Sequence, residues 1–490
     1  MEDNKAMTNR TFRSVFWTAV ERFGAQAFQA VFTVVLARLL MPSDYGLVAM
    51  IFIFLMIGQM LVDGGLSLAL VQKKNPTEKD FSTVFWFNVG FGVLLYILLF
   101  YCAPLIARFY EQPQLISIVK IAGLSIIIRS LGIVHGTKLT VALNFKRQAF
   151  ISIWAMILSG AIGVVLAYYG YGVWALVVQF LANNLLRTLL FWLSKTYWYP
   201  KFVFCVKSFN SLFKFGSKYI VTSLLDTIYK NMFAIFIGKR YTAQELGFFQ
   251  QANSLTNLLT TNIAYTVSSS FIPLHTKLHS DVDQQRKTFN RFLSLGCFIV
   301  FPTAILFAIL AEPFVSLVLT ERWLPTVPFI QIFCLAYLFY PVLVINRSLL
   351  LAKGFSKQNL MAEIIAKTLG VAAFLIALPH GILWICASIG FYTLVDMVVS
   401  SIFVKKYVSI RQIEQLKIVA PILGLAVFSG VIAWFVIIGV MHYAPISNFM
   451  QLLLGGIAGF GTYAFGAHLL KFDELKFALN YLKNKRQEAL

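Results

Sequence analysis

The sequence predicts an all-α membrane protein of about 14 transmembrane helices, and three observations carry that prediction. The 490 residues are 59% hydrophobic and only 12% charged, with a mean hydropathy of +0.76. A soluble chain of this size would carry about 25% charged residues, and water cannot hold so much apolar surface in a compact domain. Apolar stretches of about 20 residues follow one another along the whole chain. Finally, segments of the first half recur in the second, as expected of two parallel six-helix repeats followed by two extra helices.

The apolar stretches place spans at 15–38, 46–71, 82–106, 115–138, 149–169, 172–194, 213–238, 246–272, 291–319, 327–352, 360–379, 382–404, 417–440 and 448–470. No gap between them is long enough for a soluble domain. The polar start MEDNKAMTNRTFR leads into a first span that carries Glu21 and Arg22. Its apolar run is too long for a secretory signal and no small-residue cleavage site follows, so the span is expected to remain in the mature protein.

The net charge is +21, with a sequence pI near 9.7. In a soluble protein that would suggest nucleic acid. Here the basic residues gather in alternate loops, so nucleic acid is not an expected partner. With the N-terminus in the cytoplasm, one side holds Lys73, Lys74 and Lys79, then Lys146 and Arg147, Lys277, Arg286 and Lys287, and Lys405, Lys406 and Arg411. The other side holds only Arg108, Lys239, Arg240 and Arg322, with Arg38 at the edge. This positive-inside bias puts both termini in the cytoplasm of an inner-membrane, multi-pass protein. Clusters such as Tyr197-Trp198-Tyr199 fit the interfacial aromatic belt. Cys102, Cys205, Cys297, Cys334 and Cys386 lie far apart, mostly in apolar stretches, and form no CxxC pair, so they read as small buried hydrophobes.

The repeat is visible residue by residue. Arg38, Asp44 and Gly46 fall on Lys239, Glu245 and Gly247 at an offset of 201. Ala103-Pro104-Leu105-Ile106 falls on Glu312-Pro313-Phe314-Val315 at 209, and Trp174 falls on Trp384 at 210. The expected organisation is a first six-helix lobe at 1–194, a cytoplasmic linker at 195–212, a second lobe at 213–404, and two further helices with a basic tail at 405–490. Repeats an even number of spans apart share one orientation, an arrangement that suits alternating-access transport.

Ionisable groups at bilayer depth normally face protein or a wet cavity. Seven are cationic (Arg22, Lys120, Arg129, Arg187, Lys230, Arg347, Lys367) and five anionic (Glu21, Asp63, Asp226, Glu363, Asp396). Asp226 with Lys230, and Glu363 with Lys367, stand four residues apart and can neutralise each other on one helix face. Glu21, Ala25 and Gln29 share a face beside Arg22 and Gln26, and the repeat sets Asp226 and Lys230 against Ala25 and Gln29. Arg187 and Arg347 have no acid three or four residues away. The expected substrate-binding set is therefore Arg22, Lys230, Arg187 and Arg347 with Gln26 and Gln29, because guanidinium groups in a cavity suit a phosphate. Lys120 and Arg129 fit snorkelling to an interface. Asn183, Asn184, Asn231, Asn253, Asn257 and Gln250 add amides suited to sugar hydroxyls or to helix packing.

No Walker sequence, HExxH or GxSxG occurs, and His275 and His279 sit in a polar loop without a carboxylate at ligand spacing. No metal or cofactor is expected. Glu21, Asp63, Asp226 and Asp396 are the candidate acids for H+ or Na+ coupling. Short extracytoplasmic loops argue against a polymerase or ligase, and an integral-membrane glycosyl- or acyltransferase would need a catalytic constellation that the sequence does not show.

The segments Leu36-Ala37-Arg38-Leu39-Leu40-Met41-Pro42-Ser43-Asp44-Tyr45-Gly46, Gly65-Leu66-Ser67-Leu68-Ala69-Leu70-Val71-Gln72, Ala103-Pro104-Leu105-Ile106-Ala107-Arg108-Phe109-Tyr110 and Gly172-Val173-Trp174-Ala175-Leu176-Val177 resemble bacterial polysaccharide exporters. The family is the Wzx-like oligosaccharide flippases, of the colanic-acid-exporter branch of the multidrug/oligosaccharidyl-lipid/polysaccharide superfamily. The resemblance covers about residues 10–410 and is most specific in the first third. It implies two lobes forming a V around a central cavity. It implies an undecaprenyl-diphosphate-linked oligosaccharide as cargo, flipped to the periplasmic leaflet for surface polysaccharide, with cavity cations on the diphosphate. Membrane lipids, and the polymerase and export machinery of the pathway, are the other implied partners. A cation-coupled drug antiporter of the same fold is the alternative, and it would need an acid-dominated cavity.

Overall fold

A computed structural model describes residues 24, 26, 28–194, 198–277, 282–443 and 447–475. Every described element is helical. In the first half these are α1 (Phe28–Leu39), α2 (Pro42–Asp63), α3 (Leu66–Gln72), α4 (Glu78–Tyr110), α5 (Leu115–Val141), α6 (Phe145–Tyr168), α7 (Val173–Trp192), α8 (Val206–Arg240) and α9 (Ala243–Leu259). The second half continues with α10 (Thr261–Lys277), α11 (Val282–Ile309), α12 (Ala311–Phe314), α13 (Val327–Ala336), α14 (Tyr340–Ala352), α15 (Ser356–Ala377), α16 (Ile382–Val408), α17 (Gln412–Tyr443) and α18 (Asn448–Leu469). Helices satisfy every backbone group within the segment, as hydrocarbon requires. Pro104, Pro302 and Pro421 therefore sit inside long helices that membrane packing sustains.

Among the described residues, twelve segments are long and apolar enough to cross a bilayer. The other two expected spans differ. Of the stretch 15–38, residues 28–38 lie in the apolar helix α1, and most of 15–27 lies outside the described residues. The stretch 246–272 is α9 followed by α10, and its high amide and hydroxyl content keeps it below the apolarity of its neighbours.

The chain divides by packing into two compact units, Met1–Gln250 and Gln251–Leu490. In the first, α4 packs on α5, α5 on α7, α6 on α7, and α2 on both α5 and α8. The boundary of this unit follows contacts and so takes in α8, whereas the 195–212 boundary follows the repeat. In the second unit, α15 packs on α16, α11 on α17, α17 on α18, and α14 on both α10 and α16.

Local chemistry fixes the helix starts. Met41 N–H donates to Asp44 Oδ2 at 3.0 Å, Thr77 N–H to Asp80 Oδ2 at 2.7 Å, and Thr242 N–H to Glu245 Oε2 at 2.9 Å. Each is a capping acid three residues into its helix. Between α2 and α3 the chain turns at Gly64 and Gly65, with φ of 57° and 64°. A side chain there would be strained, and a Cβ on Gly65 would lie 2.6 Å from the Gly216 carbonyl oxygen of α8.

The segment before α8 is fastened to α4. Lys201 N–H donates to Ser82 Oγ, Trp86 Nε1 to the Lys201 carbonyl, and Cys205 N–H to Thr83 Oγ1, at 3.1, 2.8 and 3.1 Å. Trp198 is buried with Leu66, Phe81, Phe85 and Leu212, which corrects its assignment to the interfacial belt. A large aromatic group beside an apolar core is better buried there than left at an interface. Tyr199 remains exposed, and Tyr197 lies outside the described residues. His275 is also no loop residue: it is buried in α10, 5.0 Å from the Phe271 ring.

Candidate functional site: a cationic cavity in the first unit

The first unit encloses a cavity of about 420 Å3. Its wall comes from α2 and α3 (Asp63, Ser67, Val71), α5 (Arg129, Gly132, Thr137, Thr140), α7 (Asn184, Arg187, Phe191) and Tyr219 of α8, with Gln148 at the start of α6. It runs from the middle of α5 at Arg129 to the helix end at Thr140. Glycines make room on α5. A Cβ on Gly132 would sit 2.7 Å from Thr188 Oγ1, and one on Gly136 would touch the Phe191 ring at 3.4 Å.

Among the described residues, the wall carries two guanidinium groups and one carboxylate. Arg129 Nη1 donates to Gln59 Oε1 at 3.0 Å, and Gln59 Nε2 donates to Ser125 Oγ at 3.4 Å. The Arg187 guanidinium lies 5.6 Å from the Phe191 ring centre. Asp63 accepts from Ser67 Oγ, which in turn accepts from Thr137 Oγ1 at 3.0 Å. Asp63, Arg129 and Arg187 line the same cavity. A pair of cations held at bilayer depth favours any anion that enters between them.

The cavity brings together Arg187 and Asp63 of the expected set. Arg129 joins them instead of reaching an interface. The signal for it lay in the sequence: Gly132, Gly136 and Thr140 repeat at helical spacing from Arg129, so its face is small and polar rather than lipid-facing. Gln26, which is half-buried, and Gln29, which is exposed, are not among the cavity's lining residues. Nor are Asp226 and Lys230, which pair with each other at 2.7 Å on α8, as their spacing predicts. Glu21 and Arg22 lie outside the described residues. Of the amides, Asn184 lines the wall and donates to the Phe180 carbonyl at 2.8 Å.

Arg347 belongs to a different construction, inside the second unit. Its Nη2 donates to both carboxylate oxygens of Asp396 at 2.8 and 2.9 Å, and its Nη1 donates to Glu363 Oε2 at 3.0 Å. Lys367 completes the set at 2.8 Å from Glu363. Two cations and two anions from α14, α15 and α16 thus neutralise one another, and Asp396 is only 1% exposed. The partners of Arg347 stand 16 and 49 residues away, so helical spacing could not reveal them.

Among the described residues, twelve apolar helices long enough to cross a bilayer, with a hollow among them that holds arginines, fit a membrane transporter. The chain belongs to the polysaccharide biosynthesis protein family, whose sequence model matches residues 35–328. It is 24% identical over 350 residues to the teichuronic acid biosynthesis protein TuaB of Bacillus subtilis (strain 168), covering 71% of this chain and 72% of that one. Over 350 residues it is 23% identical to the lipopolysaccharide biosynthesis protein WzxC of Escherichia coli (strain K12), covering 71% of each. The fold resembles that of the lipid II flippase MurJ in an inward closed conformation, with a TM-score of 0.74 at 17% identity over 93% of this chain and 99% of that one. It also resembles an inward-facing multidrug transporter of the MATE family, with a TM-score of 0.62 at 13% identity over 78% and 94%. These relatives agree with the flippase resemblance read in the sequence.

Proposed function

We propose that this protein moves an undecaprenyl-diphosphate-linked oligosaccharide from the cytoplasmic to the periplasmic leaflet of a bacterial inner membrane by alternating access, for surface polysaccharide synthesis. The observation that carries the proposal is the pair Arg129 and Arg187 in one cavity wall. An arginine at bilayer depth costs about 2.5–3.5 kcal/mol. Two guanidinium groups in one wall can both turn to a single anionic ligand. Each guanidinium can hold a phosphate through two parallel hydrogen bonds.

The loop lysines and arginines favour cytoplasmic termini, which would set the Thr140 end of the cavity on the cytoplasmic side. The diphosphate enters there while the polyprenyl tail stays in lipid. Arg22 and Lys230 are further candidates along its path. Asp63 is the candidate coupling acid for H+ or Na+, because it faces the same cavity as the cations. The polymerase and export machinery would take over the product. The two arginines in the wall disfavour a drug antiporter, whose cationic substrates call for acids.

The test is to replace both Arg129 and Arg187 by Gln in cells lacking the chromosomal copy. Surface polysaccharide should disappear while the membrane level of the protein stays normal. Normal polysaccharide from this variant would overturn the site.

A further inference from the structure

A second polar surface lies in the other unit, and its chemistry is different. Residues 246–276 contain no Asp, Glu, Lys or Arg, yet they are dense in Asn, Gln, Ser and Thr. The helix continues across the junction of α9 and α10, because Thr260 N–H still bonds the Thr256 carbonyl and Ala264 N–H bonds that of Thr260. Asn253, Asn257, Thr261 and Tyr265 therefore share one face at intervals of four. They occupy about 18 Å of a core about 30 Å thick.

The groups on this face are organised. Asn253 Oδ1 accepts from Tyr337 Oη at 3.0 Å and from Asn257 Nδ2 at 2.7 Å. Two donors on one oxygen fix the orientation of the amide. Asn257 Oδ1 accepts from Thr261 Oγ1 at 2.8 Å. The Tyr265 ring is 44% exposed and lies 5.7 Å from Tyr340, which lies 6.2 Å from Tyr337. Open amides in hydrocarbon would cost several kcal/mol, so this face meets water or a polar ligand.

We propose that the face formed by Asn253, Asn257 and Tyr265 is a subsite for the neutral sugar rings of a glycan. The amide N–H groups left over from this network can donate to sugar hydroxyls, and an exposed phenol ring stacks on the apolar C–H face of a pyranose. Residues 246–276 supply no charge, so the groups they offer suit neutral hydroxyls. The inference rests on the transport reading above for its substrate, and it assigns the sugars to the second unit's own surface.

The experiment uses the full chain in proteoliposomes with Cys102 and Cys205 replaced by Ser and with Ser269→Cys as reporter, since Ser269 is exposed at the end of this face. A membrane-impermeant maleimide should label the reporter. The oligosaccharide released by mild acid from the producing cells' lipid carrier should slow that labelling. Asn253→Leu and Tyr265→Leu should each raise the half-protecting concentration about tenfold, the effect of one lost hydrogen bond or stacking contact. Tyr265→Phe should preserve protection. An unlabelled reporter, or protection that ignores both leucine substitutions, overturns the subsite. Protection with no movement of lipid-linked oligosaccharide by the same protein would overturn the transport reading and leave the subsite standing. Transport without protection would do the reverse.

Discussion

Gly46 and Gly247 each lie against the backbone of the other's helix. A Cβ on Gly46 would fall 1.7 Å from the Ala243 carbonyl oxygen, and one on Gly247 would fall 1.9 Å from that of Pro42. Pro42 and Ala243, like Gly46 and Gly247, are 201 residues apart. The contact is therefore reciprocal between repeat-related turns, each capped by its own acid, Asp44 or Glu245. No side chain fits at either crossing.

Gly46→Ala and Gly247→Ala should each destabilise the protein by about 1–3 kcal/mol or more, because backbone oxygen cannot move aside as a side chain would. Gly90→Ala is the control, since nothing lies within 4 Å of a Cβ there. Thermal unfolding in detergent should show the first two variants several degrees below the control. Equal melting would contradict the crossing.

Arg187 tests whether geometry or charge alone holds the ligand. Lysine keeps the charge and loses the planar fork. Arg187→Lys should cut surface polysaccharide about tenfold, as expected for one lost charge-assisted bond, and Arg187→Gln should cut it further. Full export by the lysine variant would mean that the cavity reads only charge.

Much of this architecture was legible in the sequence, and what was hidden shares one cause. The equivalence of Asp44 with Glu245 and of Gly46 with Gly247 could be read by offset, and the structure gives both pairs the same local roles. The Asp226–Lys230 and Glu363–Lys367 pairs could be read because four residues make one helical turn. Arg347 could not be placed, because Asp396 and Glu363 reach it from other helices. Arg129 was misjudged by taking it alone rather than with the small residues of its face. Trp198 was misjudged because its burial depends on Phe81 and Phe85, more than a hundred residues earlier.

Asp80 ties the start of α8 to the loop before α4. Its carboxylate accepts from Lys73 Nζ and Thr77 N–H, both at 2.7 Å, and from Ser208 Oγ. Asp80→Ala removes a helix cap worth about 0.5–2 kcal/mol and frees Ser208 as well. Limited proteolysis should then cut residues 198–205 faster than in the unsubstituted protein, with α8 otherwise intact. An unchanged cleavage rate would show that Trp198 and the Ser82 and Thr83 bonds hold this segment unaided.

Arg347 is the residue for which a ligand role and a structural role predict opposite results. As part of a closed set of two cations and two anions, its removal strands Asp396, which is almost fully buried. Breaking a buried pair from one side costs about 3–5 kcal/mol, whereas replacing both partners by apolar residues is often neutral. Arg347→Leu alone should therefore lower the melting temperature and the yield sharply. Arg347→Leu combined with Asp396→Leu should recover most of both, because Glu363 keeps Lys367 as its partner. If the charge of Arg347 instead serves an anionic ligand, the single variant should fold normally, and the double variant should gain no stability while export stays lost. Melting curves of the two variants beside the unsubstituted protein separate these outcomes, because only the ion-pair role makes the second substitution a rescue.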